Sequence, residues 1–261
     1  SSQGGGGVGE CNSVTDSIFV KNYATTTGGA QRDGTANRNF YFDNSTAASG
    51  GAIFTASSGN VITHCYFDKN TATVSGGAVY LAFADSFGFG QVKSLNYNWY
   101  NENSATVQGS AVYVDTSDSN GRLVYLTSLQ EYYLNNATGT SALYVRQNRD
   151  ATDTDNDTAT VTKSVFKKSA SDAEAAANVS FALTGTPSAV GASNGTITSS
   201  YFESGAGDCV AAFITGATSS CATPTPNLFK TDSAWPFCAT TAPGQTTPVD
   251  CVGPSWDKPS P

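Results

Sequence analysis

Asp153-x-Asp155-x-Asp157 is the run in this chain most like a cation site. Carboxylates at alternate positions open an EF-hand loop, which then needs glycine at its sixth position and glutamate at its twelfth. Those positions hold Thr158 and Ser164, so the run reads as an acidic, solvated loop. Asp43 and Asp68 each follow a phenylalanine of a recurring motif. Two carboxylates on neighbouring repeats could bind a cation or act as an acid and base pair. Asn101 breaks that row in the next repeat, which favours exposed corner residues. Lys167-Lys168 has no acid in its motif, and Arg32, Arg38, Arg122, Arg146 and Arg149 are scattered. The single histidine, His64, alternates with Cys65, so one of the two points outward, and a surface histidine is expected. Neither a phosphate-binding loop nor an H-E-x-x-H helix is present. The residues therefore point to no catalytic group, no cofactor and no metal.

The elements that would position these groups repeat along the chain. Phe19-Val20-Lys21-Asn22, Phe67-Asp68-Lys69-Asn70, Tyr100-Asn101-Glu102-Asn103 and Tyr133-Leu134-Asn135-Asn136 share an aromatic-x-x-Asn pattern. Tyr41-Phe42-Asp43-Asn44 belongs with them, and fainter copies start at Phe166 and Phe202. A doublet of small residues opening an apolar run follows most copies, as in Gly28-Gly29-Ala30, Gly50-Gly51-Ala52-Ile53, Gly76-Gly77-Ala78-Val79, Gly109-Ser110-Ala111-Val112 and Ser141-Ala142-Leu143. Phe67, Tyr100, Tyr133 and Phe166 follow one another every 33 residues. A fixed period of this size is one supersecondary unit stacked on copies of itself.

Each unit holds two stretches of period-two alternation rich in β-branched and aromatic residues, which are short strands. Polar loops of variable length, such as 55–60, 115–122 and 147–160, lie between them. The expected fold is all-β: a right-handed, single-stranded parallel β-helix of about seven coils. Like residues then stack on like. Asn22, Asn70, Asn103 and Asn136 are expected to form a ladder of amides at one corner. The glycine doublets permit positive φ and close backbone approach. The organisation expected is a glycine-rich segment over 1–15, the β-helix over 16–215, and a Cys-, Pro- and Thr-rich cap or tail over 216–261.

Phe-x-x-Asn followed by Gly-Gly-Ala-[Ile/Val] resembles the repeat of the chlamydial polymorphic outer-membrane proteins and related extracellular β-helix proteins. The clean copies cover roughly 19–145. The resemblance implies a β-helical passenger domain exposed at a surface, with an adhesive or structural role.

Composition agrees with an extracellular chain. Of 261 residues only 13% are charged, formal net charge is −8, and the pI is about 4.5. Nucleic acid and anionic membrane surfaces are poor partners for such a chain. Apolar runs fall short of the ~20 residues of a membrane span. The lack of methionine is read as a processed N-terminus. Cys11, Cys65, Cys209, Cys221, Cys238 and Cys251 make an even set without a C-x-x-C pair, so three disulfides are expected, as Cys11–Cys65, Cys209–Cys221 and Cys238–Cys251. Sequons occur at Asn44, Asn136, Asn156, Asn178 and Asn194; Asn44 and Asn136 lie near ladder positions, so Asn156 and Asn194 are the better glycosylation candidates.

The function expected is a secreted, non-catalytic structural protein that self-assembles into a filament or surface appendage. Its expected partners are copies of itself, with glycans as a further class. A cell-surface adhesin or carbohydrate-binding β-helix is the first alternative, for which exposed tyrosines such as Tyr97, Tyr132 and Tyr201 would serve. A polysaccharide lyase or glycoside hydrolase is the second.

Overall fold

Strands two to seven residues long, separated by abrupt corners, cannot pair within one turn of the chain. Their N–H and C=O groups must be satisfied by the next copy of the repeat. The computed structural model describes residues 5–57, 59–83, 91–115, 124–129, 131–134, 141–149, 158–162, 164–167, 179–185, 194–198, 201–202, 209–210 and 228–229. Every strand pairing among them is parallel, and each strand pairs with its counterpart one coil away.

Four sheets run along the stack. The first joins Val8–Gly9, Gln31–Arg32, Ile53–Thr55, Val79–Ala82, Val112–Asp115, Leu143–Arg149, Val179–Gly185 and Cys209–Val210. The second runs from Ser13–Thr15 through Val61–Thr63 and Gln91–Asn96 to Asn194–Thr198. The third runs from Ile18–Val20 through Tyr66–Asp68 and Trp99–Asn101 to Leu228–Phe229. The fourth is short: Tyr23–Ala24, Ser45–Thr46, Thr71–Ala72 and Ser104–Ala105. The molecule is a parallel β-helix.

The aromatic anchors stand on one another inside it. Register runs Phe19, Tyr41, Phe67, Tyr100, Tyr133, Phe166, Phe202, Phe229. Successive rings from Phe19 to Phe166 are parallel, with centroids 4.7 to 5.1 Å apart. That spacing equals one coil, about 4.8 Å, so axial repeat and ring stacking are satisfied together.

Corners are single residues in the left-handed region, and most are not glycine. Asp16, Arg38, His64 and Tyr97 turn the chain from the second sheet to the third; Lys21, Asp43, Lys69 and Glu102 turn it from the third to the fourth. The corner into the first sheet is stricter. Gly50 has φ +74°, and a Cβ on Gly51 would lie 1.9 Å from Gly77 O. Only glycine fits between backbones that approach so closely.

The helix begins earlier than residue 16. Val8–Gly9 pairs with Gln31–Arg32, Ser13–Thr15 pairs with Thr35–Asn37, and Gly5 N donates to Thr27 O at 2.9 Å. A glycine-rich segment supplies backbone donors and acceptors without side chains, which is enough to join a ladder. At the other end Leu228–Phe229, within the segment read as a cap or tail, extends the third sheet.

Candidate interaction surface

Two columns of side chains hold the corners. In the first, Asn22, Asn44, Asn70 and Asn103 lie one above another. Asn44 Oδ1 accepts from Asn22 N at 3.0 Å and from Asn22 Nδ2 at 2.9 Å. Asn70 Oδ1 does the same for Asn44, and Asn103 Oδ1 for Asn70. Each Nδ2 also donates to the anchor carbonyl one coil back: Asn44 to Phe19 O, Asn70 to Tyr41 O and Asn103 to Phe67 O, all at 3.0 Å. The asparagine amides and the carbonyls of Phe19, Tyr41 and Phe67 are thus paired.

The second column, two residues before each anchor, is Ser17, Asn39, Cys65, Asn98, Glu131 and Ser164. Sequence reasoning missed it, because its members differ in type. Asn39 Oδ1 accepts from Ser17 N at 2.9 Å, and Asn98 Oδ1 from Cys65 N at 2.9 Å. Glu131 Oε1 accepts from Asn98 N at 3.1 Å, and Ser164 Oγ from Glu131 N at 3.2 Å. Burial pushes the Glu131 carboxyl up to about 8, with hydrogen bonds from Asn98 offsetting part of the rise. Burial likewise pushes the Cys65 thiol up to about 12.

Polar side chains are buried inside the early coils. Lys93 is fully buried; its Nζ donates to Thr55 O at 3.0 Å and to Ala82 O, and sits 4.9 Å from the centre of the Phe83 ring. Asn60, also buried, donates through Nδ2 to Thr55 Oγ1. Nearby in the stack, Tyr41 OH donates to Gln31 Oε1 at 2.5 Å and accepts from Asn39 Nδ2 at 3.1 Å. Burial pulls the Lys93 amine down to about 7, against the opposing charge of Asp33.

The outer surface is ordered in the same columns. Lys21 pairs with Asp43 at 3.9 Å, Lys69 with Glu102 at 3.6 Å, and Arg38 with Asp16 at 2.5 Å. His64 stacks on Tyr97 at 4.9 Å. Phe54, Tyr80, Tyr113 and Tyr144 form one external aromatic row on the first sheet. Phe40, Tyr66, Trp99 and Tyr132 form another on the third. A groove of about 270 Å³ opens at the start of that second row, lined by Asp16, Ser17, Ile18, Arg38, Asn39, Phe40 and Tyr66. Beside it the first coil exposes large apolar side chains: Ile18 at 65%, Val20 at 48% and Tyr23 at 59%.

Several expected residues stand elsewhere than expected. Asp43 and Asp68 do not stack: Asp68 is in register with Phe42 and Asn101, because Tyr41, not Phe42, is the anchor of its coil. Asp68 accepts instead from Asn101 Nδ2 at 2.9 Å. Cys11 and Cys65 are separate thiols, one exposed and one buried. Cys11 follows the first sheet, with Sγ 3.7 Å from Gly9 O, whereas Cys65 occupies the second column, with Sγ 3.3 Å from Thr63 O. The two lie at different corners, so that pairing is not made. Asn44 is completely buried with both amide hydrogens engaged, and an N-linked glycan has no place on it in the folded chain. Tyr132 is buried, and His64 is half-buried at its corner. The side chain of Tyr201, the thiols of Cys209, Cys221, Cys238 and Cys251, the side chain of Asn194, and Asn136, Asn156, Asn178 and Asp153 to Asp157 lie outside the described residues.

Among the described residues no group of three or more His, Cys, Asp or Glu side chains is arranged to hold a metal ion, and no helix is long and apolar enough to cross a membrane. The Chlamydia polymorphic membrane protein repeat matches residues 64–82. That segment holds the ladder residue Asn70, the doublet Gly76-Gly77 and the strand Val79–Ala82, one corner-to-corner section of a coil. The chain therefore carries a coil similar to a repeat of surface proteins. Neither the curated proteins nor the solved structures contain a match.

Proposed function

We propose that this protein is a non-catalytic structural subunit of an extracellular assembly, joined to copies of itself through its first coil. The observation that carries the reading is the outward display of Ile18, Val20 and Tyr23 beside strand edges at the near end of the third and fourth sheets. Scattered exposed apolar residues are ordinary, but three on one edge coil form a patch. An open strand edge is a template for another chain. The first sheet is bounded by Val8–Gly9 and Cys209–Val210, and the third by Ile18–Val20 and Leu228–Phe229. Strand direction is the same at both ends, so a second copy translated along the axis meets each near edge with a parallel strand. A heterologous contact of this kind grows into a filament unless it closes.

The external aromatic rows favour this reading over glycan binding. Sugars stack on exposed ring faces, whereas in Phe40, Tyr66, Trp99 and Tyr132 the faces are turned to one another along the stack. What this row offers outward is the partly exposed edges of Tyr66 and Trp99, since Phe40 and Tyr132 are buried, and such edges suit lateral contact between β-helices.

The test is sedimentation velocity with negative-stain microscopy on the wild type and on Ile18→Asp/Val20→Asp. Concentration-dependent, end-to-end association in the wild type and monomers in the variant are expected. A wild type that stays monomeric at high concentration would reject the proposal, as would filaments unchanged by the two substitutions.

A further inference from the structure

Lys93 is an unusual residue to find inside a β-helix. Lysine is rarely fully buried without a carboxylate partner, and Lys93 Nζ donates to two carbonyl oxygens, Thr55 O and Ala82 O. A desolvated lysine beside an apolar ring is held towards its neutral form, in which the nitrogen lone pair is available as a nucleophile. The shift of its amine down to about 7 accords with this.

The group stacked on it is a carboxamide. Val61 is in register with Ser94, and Ser94 N donates to Asn60 O at 3.2 Å, so Asn60 precedes that pair in one coil as Lys93 does in the next. Residues in register on adjacent parallel strands project to the same side, about 4.8 Å apart at the backbone. Both side chains are buried, and both reach the same residue: Lys93 Nζ bonds Thr55 O and Asn60 Nδ2 bonds Thr55 Oγ1. A buried amine and a buried primary amide thus converge in a site shielded from water.

We infer that Lys93 and Asn60 become joined by an intramolecular amide bond between Lys93 Nζ and Asn60 Cγ, formed by the folded chain itself. The neutral amine attacks Cγ, and the C=O π electrons move to Oδ1. One proton passes from Nζ to Nδ2, the Cγ–Nδ2 bond breaks, and ammonia leaves as the carbonyl re-forms. One amine and one primary amide give one secondary amide and one ammonia, without oxidant, metal or cofactor. The product removes a buried ionisable group and ties the third coil to the fourth. This inference stands independently of the assembly proposed above.

The experiment is mass spectrometry of the folded, purified chain, intact and after proteolysis. The expected result is a deficit of one ammonia that maps to a branched peptide containing both Asn60 and Lys93. Asn60→Ala and Lys93→Arg should each abolish that branched peptide. Recovery of the Asn60 and Lys93 peptides from folded wild type only as separate linear species would overturn the inference, and so would an ammonia deficit confined to one linear peptide. The wild-type digest decides the question even where a substituted chain fails to fold.

Discussion

Asn98 and Glu131 hold successive places in one buried column, and the carboxyl of Glu131 performs the accepting half of an asparagine's role. Its Oε1 receives Asn98 N at 3.1 Å and Asn98 Nδ2 at 3.2 Å, and its Oε2 receives the same Nδ2 at 3.1 Å. Asn98 meanwhile gives its second amide hydrogen to Ile62 O at 2.9 Å. A carboxylate in this place adds a buried charge that the asparagines of the column avoid.

The fold should therefore lose stability as pH rises. Burial raises Glu131 from 4.5 to about 8, so the folded chain holds this proton more tightly than the unfolded one. Its contribution is fully present below pH 4.5 and is lost as pH rises through 8. The slope within that window is on the order of 1 kcal/mol per pH unit. Glu131→Gln keeps an acceptor for Asn98 and cannot ionise. Thermal unfolding across the window should show a flatter pH profile for this variant, with higher stability than wild type above pH 8. Parallel profiles for the two proteins would show that Glu131 does not titrate within the fold.

Asn70→Ala should be costly. It leaves Asn44 N, Asn44 Nδ2 and Tyr41 O without their partners in a buried corner. Each unsatisfied buried group costs roughly 1–3 kcal/mol, so a loss of about 3 kcal/mol or more is expected in denaturant unfolding. Thr71→Ala, at the neighbouring exposed position, should change stability by about 0.5 kcal/mol or less. Equal effects at the two sites would contradict the ladder's role.

Glycines at two corners should respond differently to alanine. At Gly51 a Cβ would meet Gly77 O at 1.9 Å and Thr71 O at 2.6 Å, so the coils must part. A loss of at least about 2 kcal/mol is expected. Gly59 has φ +72° with nothing within 4 Å of the added carbon. There only the left-handed conformation is penalised, by about 1 kcal/mol. Urea midpoints of the two variants measure the difference, and a Gly59→Ala chain as unstable as Gly51→Ala would refute the steric account.

Much of the architecture was legible because parallel, in-register stacking sets like residues on like. Phe67, Tyr100, Tyr133 and Phe166 advertise the coil through their even spacing, and the asparagines three places after Phe67 and Tyr100 mark a corner. Legibility failed where coils differ in length or columns differ in residue type. Asn22 to Asn44 spans 22 residues and Asn44 to Asn70 spans 26, against 33 from Asn70 to Asn103. That irregularity kept Asn44 out of the expected ladder and shifted Asp43 out of line with Asp68. The second column was visible only as a fixed offset before the anchors, since Cys65 and Glu131 do not look like Asn39 and Asn98.

By itself the sequence determined the repeat, the parallel stack and the asparagine corner, because each is a local pattern multiplied by a period. Only the tertiary structure decided which side chains share a buried environment across coils. It put Lys93 on Asn60, closed Asn44 within the ladder, set Cys65 apart from Cys11, and alternated charge along Lys21, Asp43, Lys69 and Glu102. Those relations depend on how far each loop runs before the chain returns to the stack, and loop length is free of the periodic pattern that the strands obey.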